Sequence, residues 1–229
     1  YSHPSYLMHK LSSNDPKWEE LWGLKNTGQT VHSLQSEGGY SSLTGTPGID
    51  IQAEEAWAMQ PNANGIVVAV IDGGVDIEHE DLLGTIWTNE GEHPFNGQDD
   101  DGNGYVDDVH GWNFANDQAN SAVPMDHGTH VAGIIASTGA NGVGGVGVAY
   151  NSKIMAVKAA QYSGVLTTAD IAEGIYYAVD NGADVINMSF GGYGRSQVEE
   201  DALAIAFSQA ILVAAAGNDN LPNQPCPLL

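Results

Sequence analysis

The chain has 229 residues, 42% of them hydrophobic, and 6 Lys+Arg against 29 Asp+Glu give a formal net charge of −23. This length and apolar content suit one sizeable domain with a real core and exclude a disordered chain. The acidic balance argues against nucleic acid and anionic membrane surfaces as partners, and no apolar run reaches the roughly eighteen residues that membrane insertion requires. The single cysteine, Cys226, allows no internal disulfide. The chain begins with neither Met nor a charged-then-apolar leader, so any targeting segment is expected to be missing or removed.

Residues 1–50 are polar with scattered aromatics and the stretch Ser36-Glu37-Gly38-Gly39-Tyr40, and read as an arm on the domain surface. Asp50 to Met59 has the spacing of a short amphipathic helix, and Pro61-Asn62-Ala63-Asn64-Gly65 that of a turn. Ile66 to Ile71 is a continuous β-branched and apolar run, the mark of a parallel strand buried on both faces. It ends at Asp72-Gly73-Gly74. Residues 84–124 read as a long polar insertion holding the densest acidic run, Asp99 to Asp108.

A small-residue helix is expected from about Thr129, then a Gly-rich loop from Gly139 to Gly147 and a strand from Lys153 to Lys158. Helical spacing returns from Thr168 to Val179 and ends at Asn181-Gly182 as a C-cap. A strand at Asp184–Met188, a helix at Val198–Ser208 and a strand at Ile211–Ala215 complete the pattern. Strand and helix alternate, which predicts an α/β fold in three layers: a mostly parallel sheet with helices on both faces.

In such a sheet, sites form at the carboxyl ends of strands. The sequence places Asp72, Ser189 and Asn218 there, and His127 enters from a helix start. A histidine so mounted suits a general base, and a carboxylate beside it would fix its tautomer. Asp72 and Asp76 are both candidates for that partner. Asp72 abuts the apolar strand and is the better placed, although the same residue could simply cap the following turn. An asparagine amide at Asn218 could donate to a developing oxyanion, or be an ordinary turn residue. Ser189-Phe190-Gly191-Gly192 leaves backbone edges free after its strand, or is a Gly-rich turn.

In the acidic run, Asp99, Asp101, Asn103 and Asp107 are spaced like the start of a calcium loop, but the closing glutamate of an EF-hand is absent. Hard oxygen donors point to Ca²⁺ rather than zinc or copper. His127 and His130 lack the intervening glutamate of a zinc-peptidase helix and any cysteine cluster. No G-x-G-x-x-G follows the first strand, which counts against a nucleotide-binding fold. Asn187-Met188-Ser189 matches a glycosylation sequon but sits at a strand end.

Four blocks together resemble, in order, those of subtilisin-like serine peptidases: Val70-Ile71-Asp72-Gly73-Gly74-Val75-Asp76, His127-Gly128-Thr129-His130-Val131-Ala132-Gly133, Val185 to Gly192, and Ala214-Ala215-Ala216-Gly217-Asn218. Asn14-Asp15-Pro16 and Trp22 to Gln29 also resemble the start of a mature domain of that family. The resemblance implies a secreted or extracytoplasmic endopeptidase acting on extended polypeptides. It implies Asp72 as the carboxylate partner, His127 as general base and Asn218 as oxyanion donor. Ser189, Phe190 and Gly191 would line the substrate cleft, and the stretch around Gly164 its opposite edge. A family calcium site would use Asp81, Asn141 and carbonyls of the Gly139–Gly145 loop, with Asp15 a further candidate.

The family's nucleophile stands in a Gly-Thr-Ser-Met-Ala block beyond the oxyanion asparagine, and no serine in this chain has that context. The expected organisation is therefore an arm at 1–50, either the end of a propeptide or the start of the mature domain, and a catalytic domain at 51–229. That domain is expected to stop before the serine block, to be incomplete at its C-terminal side and to be inactive alone. Its partners would be a polypeptide substrate, the remainder of its own catalytic domain and a propeptide. A catalytically silent peptide-binding module is the alternative.

Overall fold

The computed structural model describes residues 14–34, 40–60, 63–119, 126–161, 163–192 and 194–217. Asn218 and Cys226 lie outside the described residues, as do Ser36 to Gly39 and the Pro61-Asn62 start of the expected turn.

A 3-10 turn at Trp18–Glu20 precedes the antiparallel hairpin of β1 (Thr30–Leu34) and β2 (Tyr40–Thr44). Then come α1 (Ala53–Met59), β3 (Val67–Asp72), β4 (Trp112–Asn113) and β5 (Gln118–Ala119). The chain continues through α2 (Asp126–Ala136), β6 (Lys153–Lys158), α3 (Thr168–Asp180), β7 (Val185–Met188), α4 (Gln197–Ala206) and β8 (Ile211–Ala214). The main sheet runs β5-β4-β6-β3-β7-β8 and is parallel except for the short β4–β5 pair.

Strand β3 is central because both of its faces are buried, which is why its sequence is apolar without alternation. Val68 and Val70 face one layer, where Ala132 and Ala136 of α2 pack with Ile154 and Ala156 of β6. Ala69 and Ile71 face the other layer, where Ile171 and Ile175 of α3 and Ala202 of α4 pack with Met155, Val157 and Ile186. The small residues of α2 and α4 let these helices approach the sheet closely. A third cluster joins Leu24 and Ala53 to Val146 and Tyr150, so part of the N-terminal stretch packs against the domain.

Two sequence expectations are corrected. The histidine-bearing helix starts at Asp126, not near Thr129, so His127 sits in its first turn. The polar insertion is also structural: Trp112 and Phe114 from it enter the main core, and β4 extends the sheet beside β6. At the far side, β8 carries Ile211 and Val213 66% and 46% exposed. Among the described residues, no strand pairs with its outer edge.

Candidate active site

Asp72 is the last residue of the central strand and is buried. The Nδ1 of His127, in the first turn of α2, lies 2.9 and 3.0 Å from the two Asp72 carboxylate oxygens. In this arrangement Nδ1–H donates to the carboxylate, and Nε2 is left to exchange a proton elsewhere. The His127 side chain is 60% exposed and that of Asp72 only 6%, so the imidazole faces solvent and the carboxylate does not.

The two elements are held at this distance by glycine. A Cβ on Gly128 would lie 2.2 Å from the Gly74 carbonyl oxygen and 3.1 Å from Asp72. Asp76, the other candidate partner, is engaged differently. Its carboxylate accepts the Glu78 N–H, and its own N–H donates to Thr129 Oγ1.

Strands β6 and β7 flank β3, so the segments that follow them flank Asp72. After β6, Gly164 sits at φ +77 in an exposed turn closed by an antiparallel bridge between Ala160 and Leu166. After β7, the Ser189 hydroxyl accepts from the Asn187 amide at 2.9 Å. Phe190 packs partly against the core and Gly191 is exposed. The topology thus brings Asp72, His127, the Gly164 turn and the Ser189–Gly191 segment to the same end of the sheet. Asn218, which follows β8 in the chain, lies outside the described residues.

Comparison with known proteins matches residues 63–227 to the Subtilase family. This chain belongs to the subtilase family. It is 38% identical over 168 residues to a thermophilic serine proteinase of Bacillus sp. (strain AK1), covering 72% of this chain and 36% of that protein. It is 34% identical over 178 residues to thermitase of Thermoactinomyces vulgaris, covering 76% of this chain and 56% of that protein. It is 37% identical over 213 residues to a cell wall-associated protease of Bacillus subtilis (strain 168), covering 92% of this chain and 20% of that protein. The chain thus spans from a fifth to a little over half the length of these subtilase relatives.

Two carboxylate groupings lie away from the Asp72–His127 pair. In the first, Glu92, Asp99 and Asp101 place oxygens within 4.8 Å of one another. Glu92 stands upstream of the run that resembles a calcium loop, and sequence spacing did not reveal it. Asn103 gives its amide to Asp101 and Asp108. Asp107 turns away from this group, accepting the Asn96 and Gly97 N–H groups. In the second grouping, buried Asp15 accepts the N–H groups of Ala140, Asn141 and Gly142. Asp81, also buried, accepts from the Asn141 amide and the Gly145 N–H.

One further buried charge touches the Asp72 loop. Lys158, the last residue of β6, is only 4% exposed and donates to the Gly73 carbonyl oxygen at 2.5 Å. Burial lowers its pKa below the ordinary lysine value, and the Asp72 charge works against that shift. The sequence shows only a lysine ending the strand run Lys153–Lys158; the register sets it opposite Asp72.

Proposed function

We propose that this chain carries the acid–base half of a serine endopeptidase that cleaves extended polypeptides. The observation that supports this most is the His127 Nδ1 contact with the buried Asp72 carboxylate, at the carboxyl end of the central strand. His127 takes the proton of a serine hydroxyl as it attacks the scissile carbonyl, and returns it to the leaving amine. Asp72 fixes the tautomer and stabilises the imidazolium. Asn218 supplies an oxyanion donor, and the Gly164 and Ser189–Gly191 segments hold the substrate strand between them.

We assign the nucleophile to a Gly-Thr-Ser block outside residues 1–229, because no serine here has that context. On this reading residues 51–229 are catalytic domain and residues 1–50 an arm, either the end of a propeptide or the start of the mature domain. The exposed outer edge of β8 supports a further segment of the same domain as partner. Extracytoplasmic placement accords with the cell wall-associated relative. Among the described residues, no helix is long and apolar enough to cross a membrane.

Calcium is the cofactor the donor chemistry favours. Glu92, Asp99 and Asp101 converge with hard oxygen donors, and no lysine or arginine among the described residues pairs with them. A cation between Asp81 and Asn141 requires the Asn141 amide turned so that its oxygen faces Asp81. The ion would hold these loops by charge neutralisation; no chemical step passes through it.

The test uses the full-length protein, an extended peptide substrate and a serine-reactive phosphonate probe. Wild type is expected to hydrolyse the peptide and take the label, and Asp72→Asn to lose about ten-thousand-fold in kcat. A folded wild type that binds peptide without hydrolysis or labelling would reject peptidase chemistry and favour the silent peptide-binding module.

A further inference from the structure

The parallel register pairs Asp72 of β3 directly with Lys158 of β6. Neighbouring strands run about 4.8 Å apart. Residues 68, 70 and 72 share a sheet face with 154, 156 and 158, and α2 packs on that face. Lys158 and Asp72 are therefore neighbours beneath the helix that carries His127. No ion pair joins them directly among the described residues; the link passes through Gly73. The Gly73 N–H donates to Asp72 Oδ1 at 2.6 Å, and the Gly73 carbonyl accepts from Lys158. The Asp72 carbonyl accepts the N–H groups of Ala159 and Ala160, which follow Lys158.

We propose that Lys158 is a positioning residue for the Asp72–His127 pair: its ammonium pins the Gly73 peptide and sets a positive charge beside the buried Asp72 carboxylate. The inference rests on the acid–base reading of that pair. Two consequences follow from elementary electrostatics. A buried carboxylate is costly unless a positive charge or donors compensate it, and Lys158 offsets this from the neighbouring strand. The same charge opposes protonation of His127, which would otherwise feel Asp72 alone. A general base must be neutral to accept a proton, and the Lys158 charge favours that form. Burial lowers the Lys158 pKa, while Asp72 supports the charged form that the proposal requires. The other ionisable groups close in the chain are Asp126 and His130 on α2, both exposed, and half-buried Asp76, whose carboxylate is engaged by Glu78.

The test is made on the full-length protein with Lys158→Met, Lys158→Gln and Lys158→Arg. Titration of the His127 ring by nitrogen-15 NMR is the primary readout, and the acid limb of kcat/KM the second. Lys158→Met and Lys158→Gln are expected to raise the His127 pKa by about one unit, move the acid limb with it and cut kcat/KM about tenfold at pH 7. Lys158→Arg keeps the charge and is expected to restore the wild-type His127 titration. An unchanged His127 titration in folded Lys158→Met overturns the proposal, since a merely packing lysine would not move it. If wild type hydrolyses no peptide, the peptidase reading fails, while the His127 titration still decides the role of Lys158. If neither neutral variant folds, the Lys158 side chain is titrated in wild type and Asp72→Asn. A fall in its pKa when the Asp72 charge is removed supports the coupling, and no change overturns it.

Discussion

The Tyr177 hydroxyl donates to the Asp108 carboxylate at 2.6 Å, and both side chains are closed to solvent. Burial and the Asp108 bond together push the tyrosine pKa well above its ordinary range. Asp108 also accepts the amides of Asn89 and Asn103, so three donors reach this buried carboxylate. Tyr177 belongs to α3 and Asp108 to the acidic insertion, so this bond fastens the insertion to the helical layer. Tyr177→Phe leaves the ring contacts with Tyr105 and Phe114 but removes the donor. It is expected to cost about 1–3 kcal/mol of stability, read as a lower urea midpoint with unchanged slope.

Gly128→Ala tests the close approach of α2 to the Asp72 loop. Its Cβ would meet the Gly74 oxygen at 2.2 Å, a backbone atom that cannot rotate away. The helix or the loop must shift, and the Asp72–His127 contact shifts with it. A loss of about a hundredfold or more in kcat/KM is expected, since misplacement by about 1 Å is costly at a reacting centre. Activity within about threefold of wild type would show that the approach is not needed.

Removal of calcium is expected to lower the melting temperature. At free calcium about one hundred times its Kd, binding contributes about 2.7 kcal/mol, which chelation withdraws. Glu92→Gln, which removes one of three converging carboxylates, is expected to shrink the difference between calcium-loaded and chelated melts. Equal melting temperatures with and without chelator in wild type would refute a calcium ion there.

Asp50 is held below its ordinary pKa by the Asn26 N–H first, and then by the Gln52 N–H. A carboxylate with a depressed folded-state pKa stabilises the fold above its unfolded value of about 3.9. That contribution is lost as pH falls through the lower, folded value. Asp50→Asn is therefore expected to flatten the decline of melting temperature below about pH 4, relative to wild type. Identical acid limbs for the two proteins would argue against the linkage.

The sheet and the Asp72–His127 contact were legible because burial on both faces writes β3 as one apolar run, with Asp72 at its end. The start of α2 was misplaced because Asp126, His127 and Gly128 precede its apolar spacing. Strands β4 and β5, two residues each, are too short to show any period. Glu92 was missed because chain folding, not spacing, carries it to Asp99 and Asp101. Lys158 was read as a strand residue, since its charge acquires meaning only once register sets it opposite Asp72.

Among the described residues no strand covers the outer edge of β8, which has a practical consequence for handling this chain. On the described residues, the outer-edge backbone of β8, flanked by exposed Ile211 and Val213, is a template on which a second strand can lay itself down. Recovery from denaturant should therefore fall as protein concentration rises, and dilute refolding should outperform concentrated refolding. A short peptide with strand propensity, added in excess, should protect the yield by occupying that rim first.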